Sequence, residues 1–89
     1  MPAAHIVVEG EVQGVGFRYF IRQHALRLLL NGFVRNLVDG NVEIEVEGEQ
    51  SAIEQLLVLA KAGPRLGRVE NVTVLWKEST GLYSFFGIR

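Results

Sequence analysis

The chain has 89 residues, 48% of them hydrophobic, a formal net charge of −1 and no cysteine. That length makes one small domain, residues 1–89, which hides only about 60–65% of its unfolded surface and therefore needs an efficient core. The missing cysteines exclude a disulfide framework and thiolate metal sites, and the near-neutral charge excludes a general attraction to nucleic acid or anionic membrane.

Apolar runs such as "LLVLA" are too short to span a bilayer. The opening "MPAAHIVVEG" lacks the basic flank and apolar core of a signal peptide. A cytoplasmic protein that binds neither membrane nor nucleic acid is expected, and it fits a reducing compartment.

Residues 5–12 read as a strand, with Ile6, Val8 and Val12 on one face and Val7, Glu9 and Glu11 on the other. Residues 18–30 read as a helix carrying Phe20, Ile21, His24, Ala25 and Leu28 along one stripe, with Asn31-Gly32 as its stop. Residues 33–38 form a second strand, and Asp39-Gly40 is a hairpin signal. In the third strand, 41–47, Val42, Ile44 and Val46 alternate with Glu43, Glu45 and Glu47, which places the three glutamates on a solvated face. Ser51 and Glu54 have the spacing of a capping box. The helix they open carries Ile53, Leu56, Leu57 and Ala60 and ends at Gly63-Pro64. A fourth strand spans about 69–77, with Val72, Val74 and Trp76 on one face, and a short aromatic strand, 83–88, closes the chain.

The order β-α-β-β-α-β plus a terminal strand predicts a ferredoxin-like split βαβ α+β sandwich. Two helices pack on one face of an antiparallel sheet of four to five strands. Strands 1 and 2 then run parallel with strand 3 between them, so both end at one edge of the sheet. Strands lie about 4.8 Å apart, so positions two strands over are separated by roughly 10 Å. The loop "QGVGF" follows strand 1 and Asn36 lies near the end of strand 2, leaving room for a small anion and a water.

Gly14 and Gly16 permit backbone conformations closed to other residues. The first turn of a helix presents free N–H groups and a positive dipole end. Ser, Thr, Asp or Asn usually caps those donors, and "VQGVGFRYF" contains none of them. Two readings of this segment stand side by side. The amides are left for a bound anion, with the planar fork of Arg18 beside them; or the glycines only shape a turn and Arg18 is solvated. The segment is neither a Walker loop nor a dinucleotide fingerprint, because the required Gly-Lys-Ser/Thr and G-x-G-x-x-G patterns are missing.

"GEVQGVGFR" (10–18) followed by "NGFVRNLVDGNVEIEVEG" (31–48) resembles the acylphosphatase family. That family carries a G-x-V-Q-G-V-G-F-R segment and a G-x-V-x-N-x-x-D-G-x-V segment. The similarity continues through "AGPRLGRVENV" to the closing "YSFFGIR". The resemblance implies a ferredoxin-like fold and hydrolysis of the carboxyl-phosphate bond of acyl phosphates, without metal or cofactor. By position it makes Arg18 the phosphate-binding arginine and Asn36 the residue that positions the attacking water. The backbone amides of Gly14, Val15, Gly16, Phe17 and Arg18 would cradle the phosphoryl oxygens. A small acyl phosphate is the implied partner, phosphate or sulfate a competing anion, and a monomer the expected state. Phe33 stands where the family often has Trp, and Leu29-Leu30 where a Gly-Leu pair is common.

Other polar residues have plainer readings. His24 lies on the apolar stripe and reads as a packed, hydrogen-bonded histidine, and His5 as exposed. Neither has a partner at metal-ligand spacing. Trp76, Phe85 and Phe86 read as core or edge packing; Arg22, Arg27 and Arg35 read as surface charges, with Arg35 facing away from Asn36. The competing class is a ferredoxin-like binding or regulatory module. Its RNA-recognition form stacks bases on aromatic residues of a basic sheet, which the glutamates of strand 3 oppose.

Overall fold

The computed structural model describes residues 1–89, in the order β1 (Pro2–Glu11), α1 (Phe17–Arg27), β2 (Asn31–Asn36), β3 (Val42–Glu47), α2 (Gln50–Ala62), β4 (Arg68–Glu78) and β5 (Phe86–Ile88). The sheet runs β4-β1-β3-β2-β5. β1 and β2 therefore flank β3 and point the same way, as the split βαβ pattern requires. β5 adds to β2 in parallel, pairing Gly32 with Phe86 and Val34 with Ile88, so the sheet is mixed. Only residues 86–88 of the expected closing strand join the ladder.

Alternation decides which face is buried. Ala4, Ile6, Val8, Val34, Val42, Ile44 and Val46 are buried beneath the helices. Each large apolar side chain fully withdrawn from water contributes about 1.5–3 kcal/mol. Helix α1 answers with Phe17, Ile21 and Ala25, and α2 with Ala52, Ile53, Leu56, Leu57 and Ala60. Phe17 heads the α1 stripe at i, i+4 and i+8, so Arg18 and Tyr19 must turn away from the core.

Helix α1 ends three residues earlier than expected, and not at Asn31-Gly32. Leu30 N–H donates to Ala25 O at 2.9 Å and Leu29 N–H to Leu26 O at 3.1 Å. This is a Schellman closure. Its left-handed position, φ 61°, is held by the exposed Leu29 where glycine is usual. Leu30 then enters the core.

The capping box does not form. Helix α2 starts at Gln50 with Glu49 as its cap, so Ser51 already lies inside the first turn, and the cap makes no side-chain hydrogen bond. The chain leaves β3 under constraint: Gly48 N–H donates to Pro2 O at 3.2 Å, and the helix begins at once. At the other end Gly63 caps α2, donating to Leu59 O at 2.9 Å, where the sequence placed the stop.

The glutamates of β3 are not a simple solvated row. Glu43 accepts from His5 Nε2 at 2.8 Å and from Arg35 Nε, and Glu45 accepts from Lys77 Nζ. Burial works against the Glu43 charge, but the His5 and Arg35 donors outweigh it and hold its pKa below the usual carboxylate value. Glu47 is buried and accepts from the Thr80 N–H at 2.7 Å and the Thr80 hydroxyl at 2.8 Å. The neighbouring strands and the segment just after β4 supply these donors, which alternation within β3 does not reveal. His5 is likewise bound rather than merely exposed. His24 is packed as expected: it stacks edge-on against Phe20 and accepts from Arg27 Nη2 at 2.6 Å. Burial, then the Arg27 charge, lower its pKa and keep it a neutral acceptor.

Candidate active site

The site begins with the register of three strands. Val8 pairs with Val42, and Val42 pairs with Asn36, so the three form one row across β1, β3 and β2. Val8 and Val42 are fully buried on the helix-covered face. Asn36 shares that face at the very end of β2, where the row runs out from beneath the helices. Arg35, its neighbour, points to the opposite face and pairs with Glu43.

The loop after β1 arches over this row. Gly14 and Gly16 both adopt left-handed φ, 76° and 79°. A side chain added at either would meet no atom within 4 Å, so these glycines serve the backbone path rather than close packing, and the space above them is open. Gly16 caps α1 without any side-chain hydrogen bond.

The consequence is an unusual run of free donors. No backbone N–H from Gly14 through Tyr19 donates within the chain; the first that does is Phe20, to Gly16 O at 3.0 Å. Only water or a ligand serves these groups, and they sit at the positive end of the α1 dipole.

Gly14, Gly16, Phe17, Arg18 and Asn36 line one open cleft of about 180 Å³, together with Val12, Tyr19 and Ile88. Phe17 gives the cleft its backbone while its ring is in the core. Val15 is not part of the lining: its side chain packs against the core, and it belongs to the loop through its N–H. Arg18 is exposed and forms no ion pair. Asn36 Oδ1 is buried and has no hydrogen-bond partner. A buried acceptor of this kind is rare and costly unless something outside the chain completes it. The cleft thus offers an oxyanion a cation and a run of free N–H groups, and Asn36 adds an acceptor that nothing in the chain completes.

Three contributors were not anticipated. Tyr19 follows Arg18 on the exposed side of the helix, and helical spacing alone was enough to find it. Ile88 arrives from β5 by long-range parallel pairing, for which the sequence holds no local signal. Gln13, the first residue of the loop, bonds across to the β2–β3 turn: its Nε2 donates to Leu37 O at 2.7 Å and Asn41 O at 2.8 Å.

Fold and cleft together define an α+β sandwich that presents a cation and an amide-lined loop at one edge of its sheet. The acylphosphatase family model matches residues 4–88. An acylphosphatase of Thermus thermophilus is 49% identical over 85 residues, covering 96% of this chain and 97% of the relative. One from Thermococcus kodakarensis is 46% identical over 82 residues, covering 92% and 90%. The crystal structure of acylphosphatase from Bacillus subtilis superposes with a TM-score of 0.96 at 37% identity, covering 100% of this chain and 99% of that one. The chain belongs to the acylphosphatase family, and its reaction is the hydrolysis of small acyl phosphates.

Proposed function

We propose that the chain hydrolyses acyl phosphates without a metal, by attack of a water that Asn36 orients on a phosphoryl group held by Arg18 and the loop amides. The observation that carries this reading is the partnerless Asn36 Oδ1, buried in the same cleft as Arg18 and the free N–H run.

The chemistry suits so few groups. Water oxygen attacks phosphorus and the bond from phosphorus to the carboxyl oxygen breaks. The leaving group departs as a carboxylate, so no strong general acid is required. Phosphoryl transfer asks mainly for positioning and for stabilising charge on the equatorial oxygens. The guanidinium of Arg18 takes two oxygens in its planar fork. The amides of Gly14 to Arg18 take the rest, each preorganised donor lowering the barrier by about 3–4 kcal/mol. The Asn36 carbonyl accepts one water proton and so aims a lone pair at phosphorus. An amide does not remove that proton, which passes to a phosphate oxygen of the substrate. Inorganic phosphate or sulfate occupies the same amides and competes. All these groups lie in one chain, which supports activity as a monomer.

The test is release of phosphate from benzoyl phosphate, with and without EDTA. Turnover that survives chelation is expected. Loss of turnover on chelation, restored by one divalent metal, sinks the mechanism, and no hydrolysis at all favours a ligand-binding module of the same fold.

A further inference from the structure

We propose that Gln13 is a positioning residue, which holds the amide-lined loop at a fixed distance from Asn36; this deepens the mechanism above and rests on it. The two halves of the site come from separate parts of the chain. The loop follows β1, whereas Asn36 ends β2, and β3 lies between those strands. Apart from the shared cleft, something must set how far the phosphoryl oxygens stand from the water that attacks.

Gln13 immediately precedes Gly14, and the carbonyls it reaches bracket Asn36. Leu37 follows Asn36 directly. Asn41 precedes Val42, the residue paired with Asn36. Both hydrogens of the Gln13 amide are used, at 2.7 Å and 2.8 Å. A carboxylate at this position offers no donor, and a shorter amide does not span the gap.

The contact is not needed to satisfy the turn. Leu37 O also accepts from Gly40 N–H at 3.2 Å, and Asn41 O from Leu37 N–H at 2.8 Å. Removing the Gln13 amide therefore orphans neither carbonyl, and the hairpin keeps its own closure. What is lost is the link between loop and hairpin. A reacting pair displaced by about 1 Å loses on the order of a hundredfold in rate.

The experiment uses Gln13→Met, similar in volume and without donors, alone and combined with Asn36→Ala. Benzoyl phosphate supplies kcat, inorganic phosphate supplies an inhibition constant, and a melting curve reports the fold. Gln13→Met is expected to lower kcat about ten- to a hundredfold, with the phosphate constant changed less than about threefold, because the loop and Arg18 remain. In the Asn36→Ala background the same substitution should lower kcat less than about threefold, since there is no aimed water left to misplace. Gln13→Asn, too short to reach, should behave as Gln13→Met does.

An unchanged kcat in folded Gln13→Met overturns the proposal. So does a kcat loss that multiplies in full with that of Asn36→Ala, or phosphate affinity that falls in parallel with kcat; either makes Gln13 a scaffold of the loop alone. If Asn36→Ala by itself keeps its kcat, the water-positioning mechanism fails first and this inference falls with it.

Discussion

Arg18 and Asn36 line one cleft from two sides, the first from the opening turn of α1, the second from the last residue of β2. The Arg18 guanidinium has no ionic partner in the chain, and the Asn36 carbonyl has no donor. A cation and an acceptor left free in one cleft suit the division of work proposed above, with Arg18 for the anion and Asn36 for the water.

Arg18→Ala should therefore weaken phosphate binding and turnover together, with kcat/KM falling about a hundred- to a thousandfold. Arg18→Lys should recover only part of this, because an ammonium is a point charge without the planar fork. The exposed guanidinium serves no core contact, so the melting temperature should hold. In amide NMR, a phosphate titration of the parent chain should shift residues 14 to 18 most. Near-normal kcat/KM in folded Arg18→Ala removes Arg18 from the site.

Asn36→Ala should separate chemistry from binding. Kcat should drop by about a hundredfold or more, comparable with losing a preorganised polar group elsewhere, while inorganic phosphate binds almost as before. A thermal melt must accompany the kinetics, because the residue ends a strand. Phosphate affinity lost as badly as in Arg18→Ala would contradict the role.

Leu29→Gly should stabilise the protein. An L-residue in the left-handed region costs about 1–2 kcal/mol, and Leu29 at φ 61° is exposed and outside the core. Glycine removes that strain but gives the unfolded chain about 0.4–1 kcal/mol more entropy. The net gain should be about 0.5–1 kcal/mol in urea unfolding, with kcat untouched. Destabilisation by this variant would mean that the Leu29 side chain makes a contact worth more than its strain.

Glu47 should make stability fall in acid. Burial opposes its charge, yet the Thr80 N–H and hydroxyl, with Ser79 and the Gly81 N–H, prevail and hold its pKa below the ordinary 4.5. A carboxylate with a lower pKa folded than unfolded stabilises fully above about pH 4.5, and that contribution is lost as pH falls through the folded value. Glu47→Gln should cost about 1–3 kcal/mol at pH 7, and the gap to the parent chain should narrow below about pH 4.5. A gap that is constant across acid pH would show that the Glu47 charge is not what Thr80 holds.

Much of the fold was legible because strand and helix periods are local properties. The alternation of Val42, Ile44 and Val46 alone sends those side chains to one face, and they are buried there. The β-α-β-β-α order then leaves few topologies, and the expected sheet order followed. Gly14 and Gly16, with no capping side chain near them, pointed to the open helix start. The placement of Arg18 was not legible in this way: Phe17 lay outside the expected helix, and in the structure it heads the buried stripe and turns Arg18 outward. What failed were local signals overridden by contacts from afar. Ser51 and Glu54 have the spacing of a cap, but Gly48 is pinned to Pro2 and the helix starts early.

The sequence by itself determined the elements, the uncapped loop and the face on which Asn36 sits, because backbone period and missing side-chain acceptors are written residue by residue. Only the tertiary structure decided that Glu47 is buried against Thr80, that β5 joins β2 in parallel and brings Ile88 to the cleft, and that Gln13 ties the loop to the turn after Asn36. Each of these joins groups far apart in the chain. Their meeting depends on strand register and on donors supplied by other elements, and no pattern within one segment encodes either.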